Sequence, residues 1–198
     1  MKPALPPLFL LIGSVGVAQA QSNIVKLNAA SLGVQTASVF FEHRTAVDRS
    51  INMGLFVANY NIKDEQSGTT SSTRQFQGFG LTGEYRFYSG TDALRGVFLG
   101  PYLRFQHFNL KETSIFNGNL PQEDKATLTT FGGGVVLGWQ GIIADRLSIE
   151  PFLGVGYAAG NVVNTHGNSS AFNFQNGLRG LELRPGLSIG FAFGKKSE

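Results

Sequence analysis

Over much of the chain, large apolar residues recur at every second position. The pattern is cleanest over Gly180–Phe193. There Leu181, Leu183, Pro185, Leu187, Ile189, Phe191 and Phe193 alternate with Gly180, Glu182, Arg184, Gly186, Ser188, Gly190 and Ala192. Successive side chains of a strand point to opposite faces, whereas a helix would spread this set around its circumference. One face is a band of large apolar groups, and the other is small and polar. Glycine weakens an ordinary strand, so Gly180, Gly186 and Gly190 on one face point to a crowded interior.

The same alternation predicts seven more strands. Residues 23–31 alternate weakly. Residues 36–43 set Val39 and Phe41 opposite Ser38 and Glu42. The stretch 32–35 is a tight turn between them, unless 23–43 is one long bent strand. Strands follow at 51–60, 76–87, 94–108, 127–140 and 146–158, with Val136 the one break in the sixth. Short turns at 45–50, 88–93 and 141–145 alternate with long polar stretches at 61–75, 109–126 and 159–179, which read as loops. Phe172 and Phe174 alternate in the opposite phase to Leu181, so carrying the last strand back to them requires a bulge near Gly177. Alternating short turns and long loops are the layout of a transmembrane barrel. Strands three to eight have the roughly 9–11 residues that a lipid-spanning strand needs, and lipid forbids open sheet edges. The expected fold is all-β, a single eight-stranded antiparallel up-and-down transmembrane β-barrel formed by residues 21–198.

Two faces follow from that reading. Phe41, Phe87, Trp139 and Phe193 end the even-numbered strands and share the rim of the short turns, with Tyr85 beside Phe87. Phe79, Phe105, Phe131 and Tyr157 fall near the other rim. Two aromatic girdles suit a bilayer's two interfaces. The opposite face carries Lys26, Glu42, Glu84, Arg86, Arg104, Glu150, Glu182 and Arg184. An eight-stranded barrel holds side chains but no open channel, so these charges must pair. The expectation is a network of these residues and water in place of an apolar core. A secreted soluble barrel that binds an apolar ligand is the reverse packing, with Leu181, Leu183, Leu187, Phe131 and Val135 turned inward.

Composition narrows the chemistry. The 198 residues include 26 glycines, 12% aromatic and only 15% charged residues, which favours an all-β domain. There is no cysteine, hence no disulfide and no thiolate metal site. A net charge of +3 is too small to argue for nucleic acid. Lys2, the apolar run 8–17 and Ala18-Gln19-Ala20 read as a cleaved secretory signal over residues 1–20, with Gln21 and not Cys next, so no lipid anchor is expected. Gly78-Phe-Gly-Leu-Thr-Gly83 matches a dinucleotide fingerprint, but the strand runs on where that fingerprint needs a helix. His43, His107 and His166 lack metal-ligand spacing. His107 near one rim, and His166 with Ser169 and Ser170, are the residues an envelope-lipid enzyme would use. No catalytic residue, metal or cofactor is assigned. Recognition is expected from the stretches 61–75, 109–126 and 159–179, toward an extracellular or envelope protein partner, with outer-membrane lipid around the wall.

The stretches Ile24-Val-Lys-Leu-Asn, Gly83-Glu-Tyr-Arg-Phe-Tyr, Pro101-Tyr-Leu-Arg-Phe-Gln, Thr130-Phe-Gly-Gly-Gly and Arg184-Pro-Gly-Leu-Ser-Ile-Gly carry a resemblance over residues 23–194. The chain resembles the small eight-stranded outer-membrane barrels of Gram-negative envelopes, such as the outer membrane protein A and X domains. It is still more similar to an uncharacterised outer-membrane barrel family of Bacteroidota. The resemblance implies a fold and a location, and no activity. Two features depart from it. Phe193 is followed by Gly194-Lys-Lys-Ser-Glu198, whereas such barrels commonly end on an aromatic residue. Pro101, Pro151 and Pro185 sit within strands, where bulges or bends are expected to absorb the missing donor.

Overall fold

The computed structural model describes residues 21–66, 70–116, 120, 122–166 and 179–194. The signal expected at 1–20 lies outside them, as do Ser169, Ser170, Phe172, Phe174 and Gly177. The elements are β1 (Asn23–Asn28), α1 (Ala29–Leu32), β2 (Thr36–Ala46), β3 (Arg49–Gln66), β4 (Thr70–Tyr88), β5 (Gly96–Phe116), β6 (Gln122–Ile143), β7 (Leu147–His166) and β8 (Gly180–Phe193). Each strand pairs antiparallel with its sequence neighbours, and β1 pairs with β8 to close the barrel. Residues 23–43 are two strands, separated by the single turn of α1 and by Gln35 at φ +53°.

The long polar stretches are corrected by the structure. Most of 61–75 and 109–126 is strand, and β3 to β7 are 18–22 residues long, about twice what lipid requires. The alternation changes phase within unbroken strands. On β5, Val97, Leu99, Leu103 and Phe105 face outward, but beyond them Phe108 and Leu110 face inward and are buried. On β6, Phe131 and Val135 face outward while Ala126 and Leu128 are buried. The β5–β6 ladder keeps one register throughout, from Gly96↔Gln140 to Ser114↔Gln122, so no bulge accounts for the flip. The cause is the medium around the wall. Next to lipid the apolar residues face out, and next to water they face in.

The three strand prolines are accommodated without bulges. The β4–β5 ladder skips from Glu84↔Tyr102 to Phe87↔Leu99, leaving Pro101 and Gly100 without β4 partners at unchanged register. The β6–β7 ladder skips from Gly138↔Phe152 to Gly141↔Ile149 around Pro151. Pro185 pairs with β7 but has no β1 residue opposite it. Each proline therefore lies where a ladder is interrupted, and no donor is lost from a formed pair.

Inward glycines seat aromatic rings from the adjacent strand. Phe40 lies opposite Gly54, Phe56 opposite Gly80, Phe98 opposite Gly138, Phe152 opposite Gly186 and Phe108 opposite Gly78. A Cβ built on any of these five glycines would run into the ring it faces. The crowding expected of inward glycines has this concrete form.

Candidate functional site

The eight inward charges form the barrel's titratable interior. Lys26 on β1, Glu42 on β2, Glu84 and Arg86 on β4, Arg104 on β5, Glu150 on β7, and Glu182 and Arg184 on β8 all point inward by strand parity. Four cations meet four carboxylates, so the set is neutral. Arg86 is the hub. Its Nη1 lies 3.2 Å from Glu42 and 2.9 Å from Glu150, its Nη2 lies 2.6 Å from Glu84, and its guanidinium sits 4.2 Å over the Phe98 ring. Lys26 donates to Glu42 at 2.5 Å and also to Glu150. A second group lies nearer the long end. There Arg184 reaches Glu84 at 3.3 Å, and Arg104 pairs with Glu182. Glu84 joins the two groups.

Several partners were not visible as site residues in the sequence. Tyr88 donates to Glu42 at 2.7 Å, Ser50 donates to the same carboxylate, and Asn52 donates to Glu84 at 3.0 Å. Gln140 accepts from Lys26 at 3.2 Å and donates to the Leu94 carbonyl at 2.8 Å. The sequence pattern places Tyr88 at the start of a turn. It belongs to β4 and continues the inward parity of Glu84 and Arg86, a signal that was present. The sequence pattern places Leu94 at the start of the fifth strand. It lies instead in the turn before β5, buried at φ +76°, and closes the short-turn end against Ile24 and Ala192.

The interior is also apolar, contrary to the expected polar filling. Val136, the exception in the alternation, is fully buried with Tyr88, Phe98, Tyr102 and Phe152. Toward the long end Phe56, Phe76, Phe108, Leu110 and Leu128 form a second cluster, joined by Tyr60, whose ring stacks on Phe76 at 4.8 Å. Each such side chain contributes about 1.5–3 kcal/mol on full burial. Between this cluster and the Arg104–Arg184 group lies a cavity of about 840 Å³.

Outside, Phe41, Phe79, Phe87, Phe131, Trp139, Tyr157 and Phe193 are exposed, with Tyr85 and Phe105 half-buried among neighbours. Tyr85 meets Phe87 edge-on at 5.0 Å, and Phe79 lies 6.3 Å from Phe105. Leu181, Leu183, Leu187, Phe131 and Val135 also face outward, which overturns the reverse packing of a soluble ligand-binding barrel. His107 lies on this outer face, hydrogen-bonded to Thr129 at 2.9 Å and beside the Phe79 ring. His43 pairs with Asn23 at 2.7 Å. His166 ends β7.

At the raised rim Lys111 and Lys125 oppose one another across the β5–β6 ladder, with Glu123 bridging them at 2.7 Å and 3.6 Å. The hydrogen bond from Lys111, aided by the charges of both lysines, holds the Glu123 carboxyl below its ordinary value. The lowered value fixes the sign. The pair stabilises the rim above the ordinary Glu range of about 4, and that contribution disappears as pH falls through the lowered value. Protection factors, taken against the intrinsic exchange rate at each pH, are expected to fall across 111–116 and 122–125 on acidification, and Glu123→Gln is expected to give the lower protection already at neutral pH. Equal exchange in variant and parent would show that the pair holds nothing.

A wall of exposed Leu, Val, Ile and Phe around buried Lys, Arg and Glu is a soluble protein turned inside out, and the protein is a transmembrane β-barrel. Residues 7–176 match the model of a family described as "Protein of unknown function (DUF3575)", and the chain belongs to that family. Among solved structures it is similar to Ail, the attachment invasion locus protein of Yersinia pestis, at 13% identity and a TM-score of 0.47, covering 89% of this chain and 100% of that one. It is similar to CarO2 of Acinetobacter baumannii at 8% identity and a TM-score of 0.48, covering 87% and 97%. It is also similar to the N-terminal β-barrel domain of Pseudomonas aeruginosa OprF at 13% identity and a TM-score of 0.35, covering 89% and 100%. No curated protein matches the sequence.

Proposed function

We propose that this chain is an integral outer-membrane protein with a structural or surface-interaction role, carried by the long end of the barrel outside the cell. The observation behind this reading is the raised rim. β4 continues from Phe79 to Thr70, β6 from Phe131 to Gln122 and β7 from Tyr157 to His166. Each extension is roughly 30 Å of strand at about 3.3 Å per residue. Strands that only crossed lipid would stop near the aromatic girdle. These continue into water with a polar outer face and an apolar core of their own, which makes a rigid platform for recognition of a protein or another surface.

The absence of cysteine makes the topology directly testable. Leu120 is almost fully exposed at the long end, and Asp145 lies in a short turn. Leu120→Cys should react with a membrane-impermeant maleimide on intact cells, and Asp145→Cys only after the envelope is opened. The reverse pattern would sink the proposed orientation. A folded protein that does not migrate faster unheated than boiled would sink the membrane location.

A further inference from the structure

Among the described residues, the ladders of the barrel wall stop short beside β1. The β1–β8 ladder ends at Asn28↔Ser188, so residues 180–187 of β8 pair with β7 alone. The β1–β2 ladder ends at Leu27↔Val39, so residues 36–38 of β2 pair with β3 alone. Among the described residues, the short segment 29–35, the turn of α1 and the three residues after it, stands between these two edges. Asn28 Oδ1 accepts from the Leu187 amide at 3.2 Å, where a β1 carbonyl would otherwise continue the ladder.

The 840 Å³ cavity opens onto this gap. Its lining includes every residue from Glu182 to Leu187, and also Ala30, Ser31, Val34, Gln35 and Thr36. Consecutive residues of a strand line one cavity where the strand's edge borders it, because one face alone supplies alternate residues. The cavity's walls are amphipathic. Phe40, Phe56, Phe108 and Phe152 supply apolar rings, and Arg104, Arg184 and Glu182 supply the charge, two guanidiniums against one carboxylate. Arg184 is more than nine-tenths buried, yet its Nη1 has no acceptor among the described residues, and neither has Nε of Arg104. Neither atom is itself open to the cavity, but both guanidiniums border it, so an acceptor placed there meets them at their accessible edges. The volume lies within the range of about 300–1,000 Å³ usual for small-molecule sites.

We propose that this cavity binds a single-chain amphiphile with an oxyanion head group, admitted from the bilayer through the gap between α1 and β8. The acyl chain lies against the four phenylalanine rings, and the head group accepts from Arg184 and Arg104. The proposal rests on the membrane-barrel reading and goes beyond the role given to the rim.

The test uses the full chain in phosphatidylcholine nanodiscs. Three long-chain photo-crosslinking probes are compared, a fatty acid, a lysophosphatidate and an alkyltrimethylammonium, and labelled positions are mapped by mass spectrometry. At least one anionic probe should label peptides containing Phe40, Phe56, Phe108 or Phe152, and the ammonium probe should not. Which anion labels decides between a carboxylate and a phosphate monoester. Arg184→Gln should cut labelling roughly tenfold, the loss expected for a charge-assisted hydrogen bond. Ser38→Phe fills the cavity from a lining position without touching an ion pair, and should abolish labelling in a barrel that still shifts on heating. Labels confined to outward residues away from the cavity such as Leu81 and Leu137, equal labelling by the ammonium probe, or undiminished labelling of Ser38→Phe would each overturn the site. A parent protein that shows no heat shift would instead overturn the barrel reading itself.

Discussion

Replacing Arg86 with methionine is expected to destabilise the barrel by about 3–5 kcal/mol, the cost of breaking a buried ion pair by removing one partner. Arg86 touches Glu42, Glu84 and Glu150. Without it, Lys26 and Arg184 alone face those three carboxylates, and each carboxylate is almost wholly shielded from water. The methionine keeps most of the contact with the Phe98 ring, so the loss reports charge and not volume. Adding Glu150→Gln restores neutrality and is expected to recover a large part of the deficit. Urea unfolding in lipid vesicles measures both variants, with Trp139 as the lone tryptophan reporter. A single variant within about 1 kcal/mol of the parent, or a double variant no better than the single, would show that the charges are not coupled as the geometry implies.

Gly80 and Gly83 lie three residues apart on β4 and should respond in opposite ways to leucine. A Cβ at Gly80 runs into the Phe56 ring and comes within 2.7 Å of the Phe105 carbonyl oxygen. The carbonyl is backbone and cannot retreat, and the ring is flanked by the Arg104 guanidinium at 4.5 Å from its centroid and by Phe108 at 6.2 Å. Overpacking of this kind costs about 1–3 kcal/mol for extra methylenes in a yielding core, and contact with backbone places Gly80→Leu at or beyond that limit. No heat-shifted band is expected. A Cβ at Gly83 meets nothing within 4 Å, since that position faces outward. Gly83→Leu should fold normally and gain stability of about 1 kcal/mol, from reduced unfolded-state entropy and an added lipid-facing side chain. A folded Gly80→Leu barrel would show that the seat is not tight.

The barrel was legible in the sequence wherever the wall meets lipid on one side and a polar lumen on the other. There the two faces differ sharply, and Gly180–Phe193 came out with its boundaries correct. The eight charges fell on one parity for the same reason, and the structure gathers them into connected pairs. The rim was illegible because its alternation is inverted. Phe108 and Leu110 point inward only three and five residues past the outward Phe105, and a reader following one phase takes the change for the end of the strand. Runs such as Thr70-Ser-Ser-Thr73 carry little contrast between faces and look like loop, although their backbone is fully paired. The inward rings Phe40, Phe56, Phe98 and Phe152 were missed because alternation reports which residues share a face and not what that face must contain. The glycines opposite them were the available signal.

The short first strand also bears on assembly. The β3–β4 hairpin joins residues that are nearly adjacent in sequence, whereas β1 and β8 pair across roughly 160 residues. On a chain-entropy estimate, closing that span costs on the order of 3–4 kcal/mol more than closing a tight hairpin. Only six residue pairs, Asn23↔Phe193 to Asn28↔Ser188, stand against the cost, while β3 to β7 are joined by much longer local ladders. The order of events follows from this imbalance. A curled sheet grows outward from the central hairpins, and circularisation at the β1–β8 junction comes last. Once formed, the two ladders of β1, six pairs to β8 and five to β2, are the shortest in the ring and the first expected to part under mechanical or thermal load.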